Sequence, residues 1–256
     1  MKTLAQLKEI LDREAALMCV PSFVDADPVQ FPRRYSRLQD IEIVSFLAAT
    51  IAWGNRKMIC NNCEKILGIM GNDPHHYVME GAYEDLDDGK NLHRTFFARN
   101  FKYAMRGLRN IYRNHQSLND FAAHHHVGDD ETPAWRLVAH MQQEFAAANG
   151  GQLDSRTLPS HLENTALKRI NMMLRWLVRD DGIVDMGVWN AIKPSQLFIP
   201  LDVHVGNTAR SLGLTARRAN DMKTVIEITD ALRQMRPHDP IYYDYALFGV
   251  GINKIK

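Results

Sequence analysis

Apolar residues recur along most of the chain at the three- and four-residue spacing of amphipathic helices, and alternation with a period of two is almost absent. Leu4, Leu7 and Leu11 show this spacing at the start of the sequence. Such spacing gathers apolar side chains on one face of a helix, where they can pack against a core. The pattern therefore predicts an all-α fold.

The first part of the chain predicts a series of helices with polar turns between them. Asp40 is a candidate cap for a strongly apolar helix, and Ser117 and Thr132 are candidate caps further along. Pro133 suits the first turn of a helix, because the N–H group that it lacks would have no helical partner there. Residues 81–92 are rich in Gly and Asp and are expected to form a loop. The predicted helices cover residues 4–18, 41–53, 55–70, 96–112, 118–125 and 133–148.

A polar loop with Gly, Ser and Pro follows, beginning at Asn149-Gly150-Gly151 and extending to residue 160. Such a composition between two helical segments marks a loop. We therefore expect the boundary between two closely packed helical lobes here, with residues 1–150 in the first and residues 151–256 in the second; one large domain is the alternative. Beyond the loop, the apolar spacing predicts further helices over residues 164–179, 184–192, 221–235 and 241–251.

Composition excludes few classes of protein. The chain has 256 residues and a formal net charge of +1, so no global field attracts it to nucleic acid. No apolar run approaches the roughly 18 residues of a membrane span, and charge appears too early for a signal peptide. Its three cysteines cannot form a disulfide framework. These features indicate a cytoplasmic protein without a membrane partner.

Residues 198–214 form the most informative stretch of the chain. Pro200 disfavours helix, and Asp202 follows it at the start of an amphipathic segment. Asp is a preferred N-cap because its side chain accepts hydrogen bonds from the free backbone N–H groups of a helix. Gly213 suits the left-handed residue that ends a helix. The stretch therefore predicts a carboxylate at the junction between a loop and a short helix.

The same stretch resembles the signature of the helix-hairpin-helix (HhH-GPD) superfamily of base-excision DNA glycosylases. The similar features are a Pro-containing loop that ends in Asp202, His204 two residues later, and an Arg-x-Leu-Gly run beginning at Arg210. The resemblance implies a two-lobed helical fold with a cleft between the lobes. It also implies that Asp202 stabilises the positive charge that develops on the sugar as the base leaves. The hairpin of many members, which reads like Leu-Pro-Gly-Val-Gly, is absent here, so the helix-hairpin-helix is expected to be modified or degenerate.

Superfamily members that also act as lyases use a lysine nucleophile, which must lose its proton before it attacks. Lys168 is the candidate, because it begins an apolar helical segment upstream of Asp202. The separation of the two residues is most similar to that in archaeal 8-oxoguanine DNA glycosylases. The resemblance thus implies a DNA-repair N-glycosylase, with or without AP-lyase activity, that excises a damaged base such as an oxidised purine. Residues 168–179, 199–204 and 245–251 also resemble a bacterial family of this length that has no assigned activity.

A glycosylase must extrude its target base from the duplex and hold it. The side chains expected to contact DNA are Arg169, Arg175, His204 and Arg210. The aromatic residues that could stack on the base are Trp53, Trp176, Trp189, Phe248 and residues 242–245. Each has a structural alternative, since charged residues are typical of a solvated surface and large aromatics of a core.

The remaining motifs predict no cofactor. Cys60 and Cys63 have C-x-x-C spacing, but zinc and iron–sulfur sites need four ligands and Cys19 is the only other cysteine. Residues 124–126 are three histidines, typical of a solvated helix end. We therefore expect no metal, no iron–sulfur cluster and no other cofactor. Two alternatives to the enzyme stay open: a non-catalytic nucleic-acid-binding protein on the same scaffold, and a helical protein of unrelated function.

Overall fold

The computed structural model of the chain describes residues 3–253, with side chains for residues 3–250. Its regular structure is helical apart from one small antiparallel hairpin, β1 (Asn91–His93) with β2 (Phe96–Phe97), which confirms the all-α prediction. The α-helices are, in chain order, α1 (Leu4–Met18), α2 (Pro21–Ala26), α3 (Leu38–Thr50), α4 (Arg56–Ile69), α5 (Pro74–Glu80), α6 (Ala98–Asn114), α7 (Leu118–His124), α8 (Pro133–Ala148), α9 (Lys168–Val178), α10 (Val203–Leu212), α11 (Met222–Met235) and α12 (Asp244–Asn253). Short 3₁₀ turns cover Pro28–Gln30, Pro32–Arg34, Ala82–Asp85, Val127–Asp129, Pro194–Gln196 and Pro240–Tyr243.

Polar side chains cap several of these helices where the sequence predicts a start. Asn55 accepts a hydrogen bond from the Met58 N–H at 3.3 Å at the start of α4, and Ser117 accepts one from the Asp120 N–H at 2.9 Å at the start of α7. Each bond satisfies one of the backbone donors that a helix leaves free in its first turn. The predicted start of α8 at Pro133 is also confirmed.

Helix α3 lies at the centre of the core. Every residue from Asp40 to Thr50 is buried, which explains why this helix has almost no polar face. It packs against α9 and α5, while α1 packs against α12 and α6 against α8. The buried apolar residues form one continuous cluster that includes both parts of the chain. The division into lobes of residues 1–150 and 151–256 stays a prediction.

Glu42 joins the core helix to three other parts of the fold. Its carboxylate accepts hydrogen bonds from the N–H groups of Leu118 at 2.8 Å and Asn119 at 2.9 Å, at the start of α7. It also accepts from the Tyr112 hydroxyl at 3.1 Å and the Trp189 indole N–H at 2.8 Å. Four donors satisfy a fully buried acid that would otherwise be costly to bury. Trp189, a candidate for stacking on a base, is thereby a core residue.

Two helix predictions for the second part of the chain are wrong. The helix predicted over residues 164–179 begins later than expected, and the segment 184–192 is not a helix. Residues 164–167 are not helical, because Leu167 is left-handed (φ 48°) and α9 begins only at Lys168. Residues 184–192 form an irregular segment that runs back along the end of α9. There the Met186 N–H donates to the Trp176 carbonyl at 2.8 Å, so the segment satisfies carbonyl groups that the helix end leaves free.

Smaller corrections apply to the first part. Residues 96–97 belong to β2 rather than to α6, and the predicted loop over residues 81–92 contains a 3₁₀ turn and the start of β1. Asp40 lies inside the first turn of α3 instead of capping it, and its carboxylate accepts from the His75 N–H at 2.8 Å at the start of α5. Thr132 does not cap α8, since its hydroxyl donates to Asp130 at 2.9 Å.

The close approach of α6 and α8 depends on Gly107. A Cβ atom at this position would overlap the ring of buried Phe145, so Gly107→Ala should destabilise the protein by about 1–3 kcal/mol through overpacking. Urea denaturation measures the effect. Gly68→Ala in α4 is the matched control, because nothing lies within 4 Å of the added methyl group and Ala favours helix. Equal stability changes for the two variants would contradict the prediction.

Within residues 3–253, no helix has both the length and the apolar character that crossing a membrane requires.

Candidate active site

A pocket of about 930 Å³ opens beside the start of α9, α10 and α12. Its remaining walls come from the turn after α3, the start of α4, the segment around Asp27 and the loop that contains Arg156. This volume is in the range of small-molecule sites and would accommodate a nucleoside. Lys168 and Asp202, the two residues predicted to be catalytic, both line it.

The backbone just before Lys168 is in an unusual conformation. Leu167 has φ 48° and ψ 35°, a region that a non-glycine residue occupies at a cost of roughly 1 kcal/mol or more. Its side chain is buried, which holds the residue in place. The abrupt start of α9 puts Lys168 and Met172 on the face of the helix that lines the pocket. Strained backbone of this kind is concentrated at functional sites.

Lys168 has few polar neighbours. Its Nζ lies 3.5 Å from the carbonyl oxygen of Ala52 and 3.6 Å from the sulfur of Met172. Burial lowers the pKa of this lysine, and the negative charges of Asp202 and Asp27 oppose the decrease without cancelling it. A lowered pKa enlarges the neutral fraction of the amine, which is the form that acts as a nucleophile.

Asp202 has the position that the sequence predicts. Its Oδ1 accepts from the Val205 N–H at 2.9 Å, which caps α10, and the helix ends at Gly213 in the left-handed region (φ 77°). The Asp202 carbonyl accepts from the Asn220 side chain at 3.2 Å, so the turn before the helix is fixed. The partial positive charge of a helix N-terminus favours an anion at this point.

The pocket brings Lys168 and Asp202 together without an ion pair. Their charges interact, but no oxygen of Asp202 lies within 4.0 Å of the lysine nitrogen in the described part of the chain. Both groups line the same pocket, and a reacting sugar carbon would need to lie within it to meet them.

Asp244 is a further charged group at this site that was not predicted from the sequence. It begins α12, is 6% exposed and lines the pocket. Burial raises the pKa of its carboxyl to about 6, although Arg175 opposes the increase. The signal in the sequence was a single acid inside the apolar and aromatic run of residues 241–251.

Arg175 does not fit its predicted contact with DNA. It is 4% exposed, its Nε donates to Asp185 at 3.3 Å, and its Nη1 donates to Asp244. Arg179 extends the same network by pairing with Asp185 and with Asp239. A buried guanidinium with two carboxylate partners is a structural group at the base of the pocket rather than a phosphate contact on the surface.

The other predicted DNA contacts differ in their accessibility. Arg210 does not line the pocket; it donates to the carbonyl groups of Arg217 at 2.6 Å and Arg218 at 2.8 Å and holds the loop after α10. Arg169 lines the pocket but donates to the Thr50 carbonyl at 2.9 Å, so part of its guanidinium is engaged. His204 is exposed at the pocket rim. Of the four, Arg169 and His204 stay candidates for contact with DNA.

Aromatic side chains are among the residues that line the pocket. Trp53 is partly exposed there, with the Arg169 guanidinium 5.7 Å from its ring centre. Phe248 is also partly exposed, and the guanidinium of Arg56 lies 5.0 Å from its ring centre. Trp176 is fully buried in the core and does not line the pocket. The set of aromatics that could meet a ligand is therefore smaller than the sequence suggests.

The cysteines and histidines set aside in the sequence do not line the pocket. Cys19, Cys60 and Cys63 are free thiols, and burial raises the pKa of the Cys19 thiol to about 12. His125 stacks on His140 with ring centres 4.0 Å apart. Over residues 3–253, no group of three or more His, Cys, Asp or Glu side chains has the arrangement of a metal site.

Comparison with known proteins identifies the family but not the activity. No curated protein and no solved structure matches the chain. One family model matches residues 27–253, a range that contains Lys168, Asp202 and Asp244. The chain therefore belongs to the family described as "Protein of unknown function (DUF2400)".

Proposed function

We propose that this protein is a DNA-repair N-glycosylase, with an associated lyase step, that excises a damaged base such as an oxidised purine. The observation that carries the proposal is that a half-buried lysine of lowered pKa and the capping carboxylate of Asp202 line the same pocket. Such a pair fits the attack of an amine on a carbon that becomes positively charged. The resemblance of residues 198–214 to the glycosylase signature supports the same chemistry.

The reaction assigns one role to each residue. The neutral Nζ of Lys168 attacks the anomeric carbon of the sugar, and the bond to the base breaks with its electron pair leaving on the base. Asp202 carries the negative charge that stabilises the cationic sugar in the transition state. Opening of the sugar ring then gives a Schiff base on Lys168. Borohydride reduces such an intermediate to a stable covalent complex.

The walls of the pocket suit an extruded nucleotide. An enzyme that acts on a base within a duplex must remove that base from the stack and shelter it. Trp53 and Phe248 offer rings for stacking, and Arg56, Arg156 and His204 are polar groups on the same pocket. Positively charged side chains beside a pocket of this kind would contact the phosphates that flank the base. The three free thiols accord with the reducing cytoplasm, where we place the protein.

Asp202→Asn isolates the electrostatic role of this residue. Asparagine also caps helices, so the start of α10 should persist while the negative charge is lost. Release of the damaged base should fall by about 10²–10³-fold, the usual effect of removing one transition-state stabiliser. Single-turnover assays on duplex DNA with one lesion per molecule measure the rate.

The matched control is Asp221→Asn at the start of α11. Asp221 caps its helix in the same way, by accepting from the Thr224 N–H at 2.9 Å, but it does not line the pocket. The control should keep the rate within about threefold of the wild type. Equal rates in all three proteins would refute the role of Asp202. Salt-dependent DNA binding without any base release by the wild type would favour the non-catalytic DNA-binding protein instead.

A further inference from the structure

Three carboxylates line the pocket, those of Asp27, Asp202 and Asp244, and their partners differ. Asp27 and Asp202 each engage Oδ1 with a backbone N–H group at the start of a helical segment. Asp244 engages Oδ2 with Arg175, and no hydrogen bond to its Oδ1 occurs among the described residues. Arg175 is itself fixed by Asp185 and by the Tyr245 ring, whose centre is 4.6 Å from the guanidinium. The arginine therefore orients Asp244 so that one oxygen remains available to the pocket.

Lys168 is the amine that faces these acids. Together with Met172 and Arg175 it forms a row at spacings of four and three residues on α9, the spacing of one helix face. All three residues line the pocket, so Arg175 and Asp244 continue the surface on which Lys168 lies. The charges of Lys168 and Asp244 interact across it. Lys168 at the start of α9 and Asp244 at the start of α12 thus line the same pocket.

We propose that Asp244 accepts the proton that Lys168 must lose and later returns it to the departing base, whereas Asp202 remains anionic throughout. This inference rests on the proposed glycosylase function and names the acid–base group of that same site. Acids near one amine can divide the work in this way when their surroundings differ. The burial of Asp244, which raises the pKa of its carboxyl to about 6, supports its role as the proton carrier.

The transfer balances in charge and atoms. The ammonium of Lys168 gives one proton to the Asp244 carboxylate, leaving a neutral amine and a neutral acid. The amine lone pair forms the bond to the anomeric carbon while the bond to the base breaks, and the base leaves with that electron pair. The negatively charged base then takes the proton from Asp244, which returns to its carboxylate form. Nζ lies near the Ala52 carbonyl in the free protein, so the transfer needs rotation of the lysine or one bridging water molecule.

The test measures two properties of the Asp244→Asn variant. If Asp244 had a merely structural role, the substitution would change both properties in the same direction. The first is the rate at which Lys168 reacts with a small amine-specific acylating reagent without DNA, followed by peptide mass spectrometry over a range of pH. The second is the single-turnover rate of covalent complex formation with lesion-containing DNA and borohydride. Asparagine keeps a side-chain oxygen for Arg175, so the network at the base of the pocket should persist.

Opposite changes are expected. Loss of the Asp244 charge should lower the pKa of Lys168 further, so that acylation at pH 7 becomes roughly twofold to fivefold faster. Covalent complex formation should become about 10²–10⁴-fold slower, the usual contribution of a general acid–base group. The wild-type rate should rise between about pH 5 and pH 7 as Asp244 ionises beside Arg175, Lys168 and Asp202, and the variant should lack this rise.

Asp221→Asn is the control, because the Asp221 carboxylate caps α11 and does not line the pocket. It should keep complex formation within about threefold of the wild type when measured below its unfolding midpoint. If acylation and complex formation change in the same direction in Asp244→Asn, or if complex formation keeps the wild-type rate, the role of Asp244 is overturned while the proposed function stands. A wild-type protein that forms no covalent complex with any lesion would overturn the proposed function and the role of Asp244 with it.

Discussion

Replacing Lys168 with glutamine should abolish the borohydride-trapped complex with lesion-containing DNA. The amide has no lone pair able to attack the sugar, and no other lysine lines the pocket in the described part of the chain. Loss of a nucleophile typically reduces a rate by about 10³-fold or more. Quantified gel shifts of the denatured covalent complex would measure the loss.

Two further variants separate nucleophilicity from charge. Lys168→Arg keeps a positive charge in the pocket but offers a guanidinium, which stays protonated. It should retain DNA binding and lose covalent trapping. Lys223→Gln makes the same change as Lys168→Gln at an exposed position on α11 and should be trapped like the wild type. Trapping of Lys168→Gln at the wild-type rate would exclude Lys168 as the nucleophile.

The second large effect is on stability and concerns Arg175. Arg175→Met removes the guanidinium while leaving Asp185 and Asp244 buried, with one of their charged partners gone. Breaking a buried ion pair in this way costs about 3–5 kcal/mol, which in a protein of this size corresponds to a decrease of roughly 10 °C in Tm. Urea denaturation and thermal unfolding followed by circular dichroism should both show the loss.

Arg13→Met is the control for this prediction. Arg13 pairs with Glu14 at 3.0 Å on the surface of α1, and its side chain is 65% exposed. An exposed pair contributes less than about 1 kcal/mol, so this variant should unfold close to the wild type. A stability loss below 1 kcal/mol in Arg175→Met would contradict the network and would restore Arg175 as a candidate for contact with DNA.

Local signals predicted the region around Asp202 well. Its start and its end both depend on residues within a few positions, namely the cap Asp202 and the left-handed Gly213. The sequence alone could also show that α3 is buried, since most of its residues are apolar. These features need no knowledge of the rest of the fold.

The errors arose where distant contacts decide the structure. Residues 184–192 have the apolar spacing of a helix, but Asp185 pairs with Arg175 and Arg179, and Trp189 donates to Glu42. Those partners outweigh the local preference. For the same reason Arg175 could not be distinguished from a surface arginine, nor Asp244 identified as a pocket residue. Burial of a charge depends on tertiary contacts that spacing does not reveal.

The most direct measurement is to map the trapped residue in the wild-type protein. The protein would be reduced with borohydride in the presence of duplexes that each carry one damaged base, and the adduct would be located by peptide mass spectrometry. We expect a sugar adduct on Lys168 with at least one oxidised-purine substrate, together with the free base in solution. An adduct on another residue, or neither adduct nor free base with any duplex, would contradict the account.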